Sequence, residues 1–243
     1  MNKKKYLLSI GMLLFLWTPL TTFASPLREY LFPTHTFANG STIILDKLKW
    51  LYIIKPTTRE RYFNASWTTA PQLATHYSGV TNILNASYFG YANKAYFPAG
   101  HVSHDPSPID WSFCNRDKNL CAFVYTDTMQ IVEWLQSTKE PTISWGPILL
   151  RKGKINTDLN QRTSHRQQKT QRTVLLNTSR GIFFVVTKKW YTLPDLAAYL
   201  LKTFGTSTTA INLDGGSSTM LRSSAPGFSY HTDATLPTYF ILY

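Results

Sequence analysis

Acidic residues are scarce in this chain. Of 243 residues only 13 are Asp or Glu, against 25 Lys or Arg, and the formal net charge is +12. So basic a balance points toward anionic partners: phosphate-bearing glycans, anionic surfaces or nucleic acid. Excess lysine can also serve solubility alone. Cysteine is scarcer still, with two residues, Cys114 and Cys121. Two thiols by themselves do not make a zinc site. After the N-terminal segment no apolar run reaches the length of a transmembrane helix. Several hydrolase and nucleotide signatures are missing as well. There is no Gly-x-Ser-x-Gly elbow, no His-Glu-x-x-His, no phosphate loop and no dinucleotide fingerprint. Ser217 as a serine-hydrolase nucleophile would need a positioned histidine, and no spacing identifies one.

The first 24 residues read as an export signal. Lys3, Lys4 and Lys5 form a basic head, Tyr6 to Trp17 an apolar stretch, and Thr22-Phe23-Ala24 a small-x-small cleavage site. No cysteine follows that site to carry a lipid. The reading is an exported bacterial protein, periplasmic or secreted, with one domain over residues 25–243. In an oxidising compartment Cys114 and Cys121 are expected to pair as a disulfide around the polar loop NRDKNL. Asn-x-Ser sequons at Asn39, Asn64, Asn85 and Asn177 matter only in a eukaryotic secretory pathway, and the short lysine-led leader looks bacterial.

The stretch from Thr192 to Leu221 carries the most information. Thr192 suits a helix N-cap, Pro194 falls in the first turn, and Asp195 stands where a capping-box acid belongs. Leu193, Leu196, Ala197, Leu200 and Phe204 recur at helical spacing, and Gly205 can close the helix in a left-handed conformation. A strand is expected over Ala210 to Asp214, with Ile211 and Leu213 on one face and Asn212 and Asp214 on the other. Gly215-Gly216 then permits close backbone approach to a ligand, and Ser217, Ser218 and Thr219 add hydroxyls and free N–H groups. As an isolated tripeptide Asp-Gly-Gly is equally a common tight turn.

Elsewhere, Ser41 to Leu45, Lys49 to Lys55, Val80 to Leu84, Ala122 to Tyr125 and Ile148 to Leu150 read as strands, and residues 25 to about 80 as paired strands and loops. Thr128 to Gln136 reads as a short helix or a strand. Thr173 to Leu176 and Ile182 to Thr187 form a hairpin, and TYFILY a final strand. Residues 151–172 hold seven Lys or Arg and one acid, Asp158, which fits a solvated loop or one attracting a phosphodiester. His101, His104 and Asp105 cluster in a proline-containing loop, but their spacing matches no ligand signature, so no metal is assigned. Asp110 and Trp111 are candidates for a sugar-facing wall. Strand leads into strand over most of the chain, so the expected fold is a single α+β domain with a mixed, largely antiparallel sheet and a few packing helices.

NLDGGSSTM at 212–220 resembles the signature of the phosphodiester glycosidase family. Further landmarks of that family follow the expected order: NASYFG at 85–90, SWGPILLRKGKI at 144–155, QRTVLL at 171–176 and RGIFFVV at 180–186. The resemblance covers roughly Ile83 to the C-terminus. This chain departs from the commoner Asn-Gly-Gly or Asn-Ala-Gly by carrying Ser87 third.

The resemblance implies hydrolysis of a sugar-1-phosphodiester, with a phosphate-bearing glycan as partner, no nucleic acid and no required cofactor; a structural cation stays open. Cleavage of C1–O passes through an oxocarbenium-like state that a carboxylate can steady, or toward which it can activate water. Phosphate is a weakly basic leaving group, so a cation can partly replace a strong general acid. On this reading Asp214 stands beside C1 and Arg172 on the phosphate, its fork suited to bidentate contact. Asn85, Asn212 and Thr173 would orient substrate or Asp214, and the bend Gly215, Gly216, Ser217 and Ser218 would donate N–H groups. A second carboxylate could be Asp105, Asp110 or Asp127, so retention or inversion stays open. The alternative is a non-catalytic protein that binds anionic glycans in the same pocket.

Overall fold

The computed structural model describes residues 26–57, 61–86, 89–92, 95–98, 122–125, 128–132, 142–160, 167–231 and 233–243. Residues 1–24, read above as an export signal, and Cys114, Cys121, His101, His104, Asp105, Asp110, Trp111 and Asp127 lie outside them. In chain order the first elements are α1 (Pro26–Leu31), β1 (Thr34–Thr36), β2 (Thr42–Asp46), β3 (Leu51–Lys55), β4 (Arg61–Thr69) and α2 (Ala70–His76). Next come β5 (Asn82–Asn85), β6 (Phe89–Ala92), β7 (Ala95–Pro98), β8 (Ala122–Tyr125), β9 (Gln130–Val132) and β10 (Thr142–Trp145). The last part holds β11 (Ile148–Arg151), β12 (Lys154–Ile155), β13 (Arg172–Thr178), β14 (Gly181–Thr187), α3 (Leu193–Phe204), β15 (Thr209–Gly215), β16 (Leu221–Ser223) and β17 (Thr235–Leu242).

One sheet of eight strands runs β1-β2-β3-β14-β13-β15-β11-β12, and a second of four runs β16-β5-β17-β4. A three-stranded sheet, β10-β8-β9, and the β6-β7 hairpin complete the described strands, and every described pairing is antiparallel. This is a single α+β domain.

Side-chain alternation sorts the apolar residues into three layers. Leu175, Phe184, Val186, Ile211 and Leu213 of the large sheet meet Leu84, Leu221, Phe240 and Leu242 of the four-stranded sheet between the two. Val174, Leu176, Val185 and Ala210, one residue out of phase, face the opposite way and receive Leu193, Leu196, Ala197, Leu200 and Phe204 of α3. Ile83, Tyr239 and Ile241 turn to the outer side of the small sheet, where Ala70 and Leu73 of α2 cover them. The order is therefore helix, sheet, sheet, helix. Each large side chain so buried contributes about 1.5–3 kcal/mol.

The helix at 193–204 starts as its sequence requires, with Thr192 Oγ1 accepting the Asp195 N–H at 3.2 Å. Gly205 closes it at φ +87°, but ψ is −176°, so the chain leaves extended rather than in the left-handed helical region. Residues 70–76 differ from the strand-and-loop reading. A capping box makes the helix there: Gln72 N–H donates to Thr69 Oγ1 at 3.4 Å and Thr69 N–H to Gln72 Oε1 at 2.9 Å. Residues 130–132 are a strand. The β13-β14 ladder is longer than expected and reaches Thr178 opposite Gly181.

Candidate active site

Asp214 stands on an irregularity of β15, an interior strand of the large sheet. Arg172 pairs with Gly215 and Val174 with Asn212, so two steps along β13 span three along β15. The extra residue is a bulge between Asn212 and Gly215, a feature that releases backbone groups from the ladder and re-aims a side chain. Both freed groups of Asp214 find partners in the other sheet. Its N–H donates to the Ala86 carbonyl at 3.0 Å, and its carbonyl accepts from Asn85 Nδ2 at 2.8 Å.

Asn85 ends β5 and is fully buried. Its Oδ1 accepts two further bonds, from Thr173 Oγ1 at 2.6 Å and from the Met220 N–H at 3.1 Å. One amide thus joins β13, β15 and the segment entering β16. Thr173, also buried, is oriented by that bond. The Asn85 contacts reach the Asp214 main chain, and those of Thr173 reach Asn85 itself.

Asp214 is only 7 % exposed. Burial pushes its carboxyl pKa up to about 6, against the opposing pull of the Ser218 hydroxyl, the Gly215 N–H and the Arg172 charge. The Gly215 N–H donates to Asp214 Oδ1 at 2.8 Å. A carboxylate in this condition can take up or release a proton close to neutrality.

Arg172 heads β13 and is 5 % exposed. Its N–H donates to Thr187 Oγ1 at 2.8 Å, and Nη2 donates to the Gln168 carbonyl at 2.9 Å. Gly215 makes room for it: a Cβ there would lie 2.9 Å from the Gln171 carbonyl oxygen and 3.4 Å from Arg172 Cδ. Gly216, at φ +64°, donates its N–H to that same Gln171 carbonyl at 2.9 Å. Gly216 to Ser218 form a single 3-10 turn, closed by the Thr219 N–H on the Gly216 carbonyl at 3.1 Å.

Asn212 shares β15 with Asp214 but is fully buried. Its Nδ2 donates to the Leu213 carbonyl and its N–H to the Pro147 carbonyl at 3.0 Å. Ser217 and Ser218 follow Gly216 in the turn, and of the two it is the Ser218 hydroxyl that draws the Asp214 pKa down. Gln171 and Thr187 were not singled out by the sequence. Thr187 closes the hairpin strand opposite Arg172, the one hint that it would meet that residue. Gln171 acts through its main chain, which leaves no side-chain signal.

Among the described residues no group of three or more His, Cys, Asp and Glu is placed to hold a metal ion. None of the described helices is long and apolar enough to cross a membrane. A cavity of about 230 Å³ opens at the Asn82 end of β5, lined by Tyr77, Thr81, Arg222 and Ser224 among others. It contains no carboxylate, so the chemistry is better sought at Asp214.

Residues 77–242 match the sequence model of a family described as phosphodiester glycosidase. No curated protein sequence matches the chain. The solved catalytic domain of zebrafish N-acetylglucosamine-1-phosphodiester alpha-N-acetylglucosaminidase, auto-inhibited by pro-peptide, superposes with a TM-score of 0.57 at 15% identity. That match covers 91% of this chain and 85% of the zebrafish one. A hypothetical protein from Synechocystis superposes with a TM-score of 0.52 at 12% identity, covering 86% and 61% of the two chains. At these identities the structural likeness speaks for the fold.

Proposed function

Since this chain belongs to the phosphodiester glycosidase family, we propose that it hydrolyses a sugar-1-phosphodiester at the Asp214–Arg172 site. The observation that carries this reading is a buried carboxyl, raised to about 6, beside a buried arginine at a bulged strand end. The family supports a hydrolase acting on sugar-phosphodiester substrates; the steps below are our reading of this chain.

The ionised Asp214 faces C1 of the sugar and Arg172 the phosphodiester. Water attacks C1 and gives up a proton to Asp214. The C1–O bond breaks with its electron pair going to the phosphate oxygen, leaving a free sugar and a phosphomonoester. The proton then passes from Asp214 to solvent or product. Positive charge builds on the ring in the transition state, and the carboxylate steadies it. Negative charge builds on the leaving phosphate, where the guanidinium acts. The Gly215 N–H holds the carboxylate in place, and the Ser218 hydroxyl favours its ionised form. Asn85 works as a positioning residue, because its bonds fix the Asp214 backbone.

The test incubates the protein and its Asp214→Asn variant with a panel of sugar-1-phosphodiesters and follows anomeric signals by NMR. Free sugar from wild type alone supports the reading, and the first-formed anomer distinguishes retention from inversion. Free sugar from both proteins removes Asp214 from its role. Specific binding of a panel member without turnover would instead favour a non-catalytic receptor for anionic glycans.

A further inference from the structure

Beyond Asp214 and Arg172, a second set of side chains is fixed to the same wall. Trp50 closes the turn between β2 and β3 at φ +54°, in a region that side chains other than glycine rarely occupy, and remains 42% exposed. That conformation is held from several sides. The Lys188 N–H donates to the Trp50 carbonyl at 2.7 Å, the Lys49 N–H to Asp46 Oδ1 at 2.9 Å, and the Tyr191 hydroxyl to the Lys49 carbonyl at 2.9 Å. Tyr191 in turn exchanges backbone bonds with Thr170 at 3.2 and 2.8 Å, two residues from Arg172. The main chain that presents this exposed indole is therefore fixed, in a conformation that costs energy. Such strain is common at ligand clamps.

Lys188 sits within that frame. Its Nζ lies 5.3 Å from the Trp50 ring centroid, 5.7 Å from Tyr52 and 5.8 Å from Tyr230. Three rings stabilise the ammonium, which still has three N–H donors to offer. The connection to the catalytic residues is short. Lys188 follows Thr187, whose hydroxyl accepts the Arg172 N–H, and Tyr230 exchanges backbone hydrogen bonds at 2.8 and 2.6 Å with Leu221, two residues past the Thr219 that closes the Asp214 turn. The Gln171 carbonyl accepts the Gly216 N–H. Leu51 pairs with Thr187, and Arg172 with Gly215, so Trp50 and Lys188 stand at the same end of the large sheet as Arg172 and the Asp214 turn.

Resting on the hydrolase reading above, we propose that Trp50, Lys188 and Tyr230 form a subsite for a further sugar-phosphate unit of the substrate, so that the enzyme prefers a polymer of sugar-1-phosphate units over a minimal diester. A sugar ring presents a C–H face that packs on the electron-rich face of an indole, while the ammonium meets the next phosphodiester. Neutral glycans lack the second contact. Single-stranded nucleic acid could use both, since its bases also stack on aromatic rings beside cations.

The experiment measures binding in the Asp214→Asn protein, in which the hydrolase reading expects turnover to be suppressed, to three immobilised probes: a hexose-1-phosphate polymer, the corresponding neutral hexose polymer, and oligothymidylate. The expected result is retention on the phosphate polymer alone. Binding should weaken at least tenfold with Trp50→Ala and with Lys188→Gln, and remain within twofold for Trp50→Phe and for Trp67→Ala, an equally exposed tryptophan on the other sheet. Thermal melting of each variant checks that the fold is intact. Absence of retention on the phosphate polymer, retention unaffected by both substitutions, or equal retention on oligothymidylate each overturns the subsite. Failure of the hydrolase reading looks different: Asp214 unmutated would bind the polymer through Trp50 and Lys188 yet release no sugar from any diester.

Discussion

The side-chain amide of Asn85 donates to the main-chain carbonyl of Asp214 at 2.8 Å, across the space between the two sheets. With the Asp214 N–H bonded to the Ala86 carbonyl at 3.0 Å, the residue proposed to do the chemistry has its backbone fixed by the opposite sheet. The bulge creates the need for these partners, and the end of β5 meets it.

Replacing Asn85 by Ala removes three hydrogen bonds and strands the Asp214 carbonyl, the Thr173 hydroxyl and the Met220 N–H in the interior. An unsatisfied buried group costs about 1–3 kcal/mol, so the loss should reach about 3 kcal/mol or more. Urea unfolding measures it directly. Asn85→Asp keeps both bonds to Oδ1 but sets a carboxylate against the Asp214 carbonyl, and should be no better tolerated. A loss under about 0.5 kcal/mol for Asn85→Ala would mean that the bulge is held by other contacts.

The Asp214 carboxyl also imposes a pH dependence on stability. Its value is 3.8 in an unperturbed setting and about 6 here, so the folded state holds this proton more tightly than the unfolded chain. Its contribution is fully present below about pH 4, is lost as pH rises through about 6, and stays lost above. A rise of about two units corresponds to about 3 kcal/mol. Asp214→Asn, which removes the buried charge, should therefore stabilise the protein at pH 7 by up to about that amount and change little at pH 4. Denaturant titrations of both proteins at the two pH values check this. Turnover should move the opposite way, falling at least about a thousandfold in the variant if the carboxylate acts as proposed. In the wild type kcat/KM should climb as pH rises through about 6, because the ionised form is the active one.

Much of this arrangement was readable from residue order. Helix α3 announced itself through Thr192, Pro194 and the spacing of Leu193 to Phe204, because capping and amphipathic periodicity are local properties. The β13-β14 hairpin and the Asp-Gly-Gly-Ser bend were legible for the same reason. The bulge was not, since it exists only in the register between Arg172–Val174 and Asn212–Gly215, which are distant in sequence. Alternation alone placed Asn212 and Asp214 together on one face as equal candidates. The extra residue between the Asn212 and Gly215 pairings breaks that equivalence. Asn212 stays within the ladder region with its amide on the Leu213 carbonyl, while Asp214 is bonded across to Ala86. Helix α2 was missed although Thr69 and Gln72 spell a capping box, because residues 25 to about 80 were read together as paired strands and loops. The role of Gln171 lies in its carbonyl, and a main-chain role carries no residue-type signature.

The two glycines after Asp214 should fail for different reasons. Gly215 is extended, at φ −141°, so alanine meets no dihedral penalty there; its Cβ would instead press to 2.9 Å from the Gln171 carbonyl and 3.4 Å from Arg172 Cδ. Gly216 is left-handed at φ +64°, with its nearest obstacle, Thr170 Oγ1, at 3.4 Å. Gly215→Ala should therefore cost about 1–3 kcal/mol by crowding and displace the guanidinium, with kcat falling more than stability explains. Gly216→Ala should cost about 1 kcal/mol through its backbone, and Gly216→Asn less, because asparagine tolerates that region. Similar behaviour of Gly215→Ala and Gly216→Ala toward the asparagine control would argue against this division.

Arg172 can be separated into its charge and its shape. Its positive charge opposes the upward push of burial on Asp214, so Arg172→Gln should move the Asp214 titration further above 6 and carry the rising limb of kcat/KM with it. Arg172→Lys keeps a charge on this wall, so the limb should stay closer to its wild-type position. Lysine cannot, however, reproduce the planar fork, nor in the same geometry the Nη2 bond to the Gln168 carbonyl, found here at 2.9 Å. The plateau of kcat/KM in Arg172→Lys should therefore fall by about ten- to a hundredfold even where its pH profile is preserved. Full pH–rate profiles of the three proteins on one diester decide the matter. A profile for Arg172→Gln that keeps its midpoint would show that Arg172 does not govern the carboxylate, whereas an unchanged plateau in Arg172→Lys would show that a point charge suffices at the phosphate.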